Sequence, residues 1–115
     1  MGYMSETSTI EHLENIRSIV DNSVYSQAQI HLTEWNSSPS PRDLIHDTPF
    51  MAPFILYNVS QNFGKVDSLG FWTFTDIFEE NGPGKSEFHG GFGLINHNGI
   101  KKTVILCLSL FITAG

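Results

Sequence analysis

Hydrophobic positions along this chain fall into a few short periodic runs, separated by polar stretches rich in proline and glycine. Ile10, Leu13, Ile16, Ile19 and Val20 recur mostly at steps of three and four residues. That spacing predicts an amphipathic helix over 9–22, with Glu11, Glu14, Arg17 and Asp21 on its polar side. Thr9 is the expected cap, although His12 stands where a capping box would carry Glu or Gln, and Asp21-Asn22-Ser23 ends the helix. Over 28–35 the period changes to two. Ile30 and Leu32 alternate with His31 and Thr33, which predicts a buried strand, and Ser37-Ser38-Pro39-Ser40-Pro41 stops it. Asp47-Thr48-Pro49 reads as a capped helix start. Phe50, Phe54, Ile55, Val59 and Phe63 then predict a helix to about Asn62, with Pro53 near its first turn and Gly64 as its stop. A second strand is expected over 66–78. Gly90-Gly91-Phe92-Gly93-Leu94-Ile95 and the turn Asn96-His97-Asn98-Gly99 predict a small hairpin with glycines at positive φ. The run from Val104 to Ile112 is apolar but too short to span a bilayer, and reads as a helix or strand meant to be buried.

The order helix, strand, helix, strand, hairpin, tail implies an α/β fold with parallel strands and a crossover helix. Two strands are too few, because a parallel sheet is covered on both faces and this chain supplies too little cover. The expected architecture is therefore a piece of something larger. In a (β/α)8 barrel, active sites sit at the carboxyl ends of the strands. Here Glu34 and Asn36 end one strand, and Trp72, Asp76, Glu79 and Glu80 follow the next.

Composition narrows the possible partners. The 115 residues are enough for one domain, and a net charge of -6, with Lys101-Lys102 the only basic pair, argues against nucleic acid. A single cysteine, Cys107, rules out an internal disulfide and a cysteine-based zinc site. No His pair stands at i, i+4 on one helix, so neither metal nor cofactor is expected. His31 is expected to be a satisfied inner histidine and His46 a loop-to-helix anchor. The first residues lack a basic region and an apolar run, so no signal peptide is expected; the expected location is cytoplasmic, with no membrane partner.

Candidate chemistry centres on Glu34. Burying a charge is costly unless it is paired, so a carboxylate at the end of an apolar strand is either kept for chemistry or lies at the rim. Trp35 and Asn36 beside it supply the apolar ring and the amide that a sugar site uses, although Asn36 could equally make a turn into the Ser-Pro loop.

Four blocks carry a family resemblance: Leu32-Thr33-Glu34-Trp35-Asn36-Ser37-Ser38, His46-Asp47-Thr48-Pro49-Phe50, Phe71-Trp72-Thr73-Phe74-Thr75-Asp76-Ile77-Phe78-Glu79-Glu80, and Gly91-Phe92-Gly93-Leu94-Ile95. Their order and spacing over residues 9–102 resemble the C-terminal part of the catalytic barrel of bacterial β-xylosidases of glycoside hydrolase family 39. The resemblance implies a partial (β/α)8 TIM barrel: the last two βα units, strands seven and eight, plus the small hairpin. Residues 1–102 would be this barrel portion and 103–115 a truncated or altered last helix. It implies a retaining glycosidase that releases xylose from the non-reducing ends of xylo-oligosaccharides, with Glu34 as nucleophile and Trp72 and Glu80 holding the sugar. Asn36 is a further candidate for substrate binding. Pro39 departs from the family pattern, which has a Tyr lining the site there, and the general acid/base of an Asn-Glu-Pro block is absent from the chain. An enzyme of the same family acting on a uronic acid would want more basic residues. The alternative is a catalytically inactive remnant that self-associates or only binds carbohydrate. Homo-oligomer formation is left open.

Overall fold

The computed structural model describes residues 5–78 and 81–113. Its elements are helix α1 (Ser8–Asp21), strand β1 (His31–Trp35), a 3-10 turn (Leu44–Asp47), helix α2 (Met51–Asn62), strand β2 (Ser68–Phe71) and helix α3 (Thr103–Thr113). Strands β1 and β2 pair in parallel, with His31 opposite Ser68, Leu32 opposite Leu69 and Trp35 opposite Phe71. Between Leu32 and Trp35 the register shifts, so the simple alternation expected over 28–35 is broken there. Helix α2 makes the crossover between them. This is the βαβ unit that the sequence order implies.

The helices start differently from expectation, each for a reason visible in its hydrogen bonds. The cap of α1 is Thr7 rather than Thr9, and its hydroxyl donates to Glu11 Oε1 at 2.8 Å one turn on. Asp47 does not cap α2. It ends the 3-10 turn, and its carboxylate is engaged elsewhere, accepting from the Gly90 N–H at 2.6 Å. Pro53 is the third residue of α2, where its missing N–H is one that a helix leaves unbonded in any case. Gly64, at φ 78°, follows the helix end as expected. The buried face of α2 differs from its apolar stripe. Val59 and Phe63 are exposed, whereas Asn58 and Asn62 are fully buried. Both amides donate within the helix, to Phe54 O and Asn58 O, and Asn58 also donates to Glu6 O beside α1.

The hairpin expected over 90–99 is not a two-stranded ribbon. Residues 92–95 pair instead with 73–76, through Thr73 N–H to Phe92 O (3.1 Å), Leu94 N–H to Thr73 O (3.1 Å) and Asp76 N–H to Ile95 O (2.9 Å). A single antiparallel bridge between Ile95 and Lys101 closes the turn at 96–99. The expected glycine signal has two causes rather than one. Gly90, at φ 77°, needs the left-handed region. Gly91 and Gly93 need the absence of a side chain, because a Cβ would stand 2.4 Å from Asp76 Oδ1 and 2.3 Å from Asp76 N respectively. The strand expected over 66–78 is confined to β2 for the same reason: past Phe71 the backbone leaves the ladder to meet this glycine loop.

The apolar core lies between β1, α2 and α3. It comprises Trp35, Met51, Ala52, Phe54, Ile55 and Val104, with Phe71 meeting Trp35 edge-on at 5.6 Å between centroids. The tail is thus a helix. Val104 is buried and Leu108 packs on the core, but Leu106 is exposed. No helix of the described residues is long and apolar enough to cross a membrane.

Candidate active site

At the carboxyl end of β1 a cavity of about 540 Å³ opens between the strands and α1. Glu34, Trp35 and Asn36 line it from β1. Trp72 lines it from the end of β2, Phe92 from the glycine loop, and His12 and Leu13 from α1. Three of the four residues singled out from the sequence, Glu34, Asn36 and Trp72, therefore share one cavity. The fourth, Glu80, lies outside the described residues. Pro39, the departure from the family pattern, also lines the cavity.

The parallel ladder causes this convergence. Trp72 N–H donates to Trp35 O at 3.0 Å, so the last ladder bond places Trp72 beside the Glu34-Trp35-Asn36 end of β1. Asn36 locks the same junction. Its Nδ2 donates to Trp72 O, and its Oδ1 accepts from Ser37 N–H at 2.7 Å. The Trp72–Thr73 peptide bond is cis. The Trp72 ring is half-buried and stands 6.2 Å from that of Phe78.

Glu34 is exposed, not buried, and makes no hydrogen bond or ion pair among the described residues. It is the one carboxylate among the described residues lining the cavity. A carboxylate that shares a cavity with two tryptophans and an amide can act as a nucleophile or accept hydrogen bonds from a polyol. His31, expected inside, is exposed and bonds Ser68 Oγ at 2.8 Å across the ladder. Among the described residues β1 has a neighbouring strand on one edge alone, and the His31 end of β1 faces solvent. His46 matches its expected anchoring role: it is buried and its Nδ1 bonds Gly90 O at 2.8 Å.

The feature that sequence reading missed is a buried charge cluster behind the Trp72 wall. Lys102, read from the sequence only as half of the one basic pair, is 2% exposed. Its Nζ lies 2.7 Å from Asp47 Oδ1 and 2.9 Å from Asp76 Oδ2, and donates to Gly91 O at 2.8 Å. The second oxygens of the carboxylates are met by backbone, Asp47 Oδ2 by Gly90 N–H and Asp76 Oδ1 by Gly93 N–H at 2.7 Å. A lysine at the mouth of an apolar helix, downstream of Gly-Gly-Phe-Gly, is a weak signal that only pairing across 26 residues could make specific. Nearby, Asp43 accepts from Ile45 N–H at 3.1 Å. That bond holds its carboxyl below the ordinary range against the opposing effect of partial burial, helped by the Ser38 hydroxyl and His46. No group of three or more metal-ligating side chains is assembled among the described residues.

Residues 2–114 match the profile of Glycosyl hydrolases family 39, and the chain belongs to that family. It is 36% identical over 106 residues to a β-xylosidase of Geobacillus stearothermophilus, covering 92% of this chain and 21% of that protein. Over 74 residues it is 50% identical to a β-xylosidase of Caldicellulosiruptor saccharolyticus, covering 64% of this chain and 15% of that protein. The fold superposes on the GH39 enzyme of Xanthomonas axonopodis pv. citri with a TM-score of 0.89 and 37% identity, over 95% of this chain and 22% of that one. A monomeric β-xylosidase of Caulobacter crescentus CB15 gives 0.88 and 31%, over 94% and 22%. The chain thus spans about a fifth of the length of relatives named as β-xylosidases.

Proposed function

We propose that these residues are the last two βα units of a retaining β-xylosidase barrel, with Glu34 as its nucleophile. The observation that carries this reading is Glu34 itself: an unpaired carboxylate on a cavity wall at a strand's carboxyl end, flanked by Trp72 and Asn36. Similarity to proteins named as β-xylosidases supports the substrate class. Strands β1 and β2 correspond to strands seven and eight. Each has one partner among the described residues, and the rest of the barrel would pair with the open edges.

In this reading a β-xyloside enters with its non-reducing xylose against the Trp72 ring. Glu34 attacks the anomeric carbon while a second carboxyl group protonates the departing glycosidic oxygen. A glycosyl ester forms on Glu34. Water, deprotonated by that second group, then attacks the same carbon and releases xylose with its configuration retained. Asn36 lines the sugar pocket and holds Trp72. Glu80 is proposed to hydrogen-bond sugar hydroxyls, on the strength of the family resemblance.

The two carboxyl groups of a retaining site stand about 5–5.5 Å apart. Glu34 has no such companion among the described residues lining the cavity, so the acid/base is assigned to a part of the protein outside this sequence. The isolated chain is expected to show no turnover. Its open strand edges favour, as the second reading, a product that self-associates or only binds carbohydrate.

The test is a chimaera in which this chain replaces the matching segment of the G. stearothermophilus β-xylosidase. Hydrolysis of 4-nitrophenyl β-D-xyloside should survive the exchange and fall by roughly a thousandfold or more on Glu34→Gln. A 2-deoxy-2-fluoroxyloside should become trapped on Glu34. An active chimaera indifferent to Glu34→Gln would sink the assignment.

A further inference from the structure

We propose that Lys102 is a positioning residue for the aromatic wall of the cavity, acting on Trp72 and Phe92 from behind. This rests on the sugar-site reading above and adds a residue to it. The connection runs through short steps. Lys102 Nζ grips the Asp76 carboxylate and the Gly91 carbonyl. Asp76 Oδ1 grips Gly93 N–H, so Phe92 is held on both sides. Phe92 O accepts from Thr73 N–H, and Leu94 N–H donates to Thr73 O, which fixes the residue next to Trp72. Asp47 ties the ammonium to the preceding loop, where His46 bonds Gly90 O.

The charges explain why this grip is firm. One ammonium meets two carboxylates and a carbonyl, and backbone N–H groups meet the remaining carboxylate oxygens. A buried set of this kind is stable only when complete. It therefore holds the loop in one arrangement. A sugar face stacks on an indole at a lower ordering cost when the ring plane is already set. No atom of Lys102 lines the cavity, so its effect is through the wall and not by contact.

The test uses the full chain, labelled with nitrogen-15 at tryptophan, with xylobiose as the probe. Its two indoles give separate signals: Trp35 is a buried core residue that also lines the cavity, and Trp72 is the half-buried wall residue. In both Lys102→Met and Asp76→Asn the Trp72 signal should shift or broaden while the Trp35 signal stays, and xylobiose should bind about tenfold more weakly. An unmoved Trp72 signal in a folded variant would overturn the positioning role. Should Lys102→Met lose the Trp35 signal as well, Asp76→Asn decides, because the amide retains an oxygen for Gly93 N–H. If the unmodified chain does not bind xylobiose, the sugar reading is left to the chimaera above, and the Trp72 signal alone still judges Lys102.

Discussion

The two halves of this molecule treat charge and apolar surface in opposite ways. Around α2, α3 and the glycine loop the interior is closed: Met51, Ala52 and Val104 are each 1% exposed, and Lys102 is buried with every acceptor around it matched. Around α1 and β1 the surface is open. Ile10 and Leu13 are buried, but Ile16 and Ile19 of the same stripe are exposed, and Glu34 faces a cavity without a partner. The contrast separates two uses of a charged group. Where charges are fully paired they hold a loop. Where one is left unpaired at a strand end, it is available for chemistry.

The comparison can be broken most strongly at Lys102. Lys102→Met leaves two carboxylates facing each other in the interior and should cost about 3–5 kcal/mol, measured by chemical denaturation. A loss no larger than that of an exposed pair such as Lys65–Glu14 would mean the closed half is not closed. Trp35→Ala should cost a similar ~3–5 kcal/mol, because it empties the contact between β1, Phe54 and Phe71. Gly70→Ala should cost about 1–3 kcal/mol, since the new Cβ would stand 2.4 Å from Thr33 O across the ladder. A stability unchanged in that variant would show that β1 and β2 are free to separate.

Asp43 gives a smaller, pH-dependent effect. Its folded pKa is depressed, so it contributes stability above its ordinary value of 3.8 and loses that contribution as pH falls through the lower folded value. Asp43→Asn should remove this pH dependence: the variant loses the carboxylate's contribution at neutral pH and converges with the parent at acid pH, while its amide oxygen still accepts from Ile45 N–H. In the open half, Glu34→Gln should leave folding within about 0.5 kcal/mol. A marked stability change there would make Glu34 a structural group and erase the contrast.

Much of the chain was legible from sequence because its signals are local. The 3.6-residue stripe of Ile10 and Leu13, the period of two around Ile30 and Leu32, and Gly64 after the second helix all act through neighbours in the chain, and α1, β1 and α2 follow them within a few residues. The pairing of Glu34 with Trp72 was legible only as an order of blocks. What brings the two to one cavity is the parallel register that sets Trp72 N–H on Trp35 O.

Tertiary structure alone decided which polar residues go inside. Asn58, Asn62, Asp76 and Lys102 are among the most deeply buried side chains, while Val59, Phe63 and His31 face solvent. Hydropathy cannot foresee this: the Asn58 and Asn62 amides donate mainly to carbonyls one turn back in their own helix, and the Lys102 ammonium depends on partners that arrive from distant segments. Lys102 meets Asp47, Asp76 and Gly91 only after α3, the 3-10 turn and the glycine loop have come together. The sequence by itself determined the periods, the turns and the candidate carboxylate. The fold determined which charges are paired and which one is left to face the cavity.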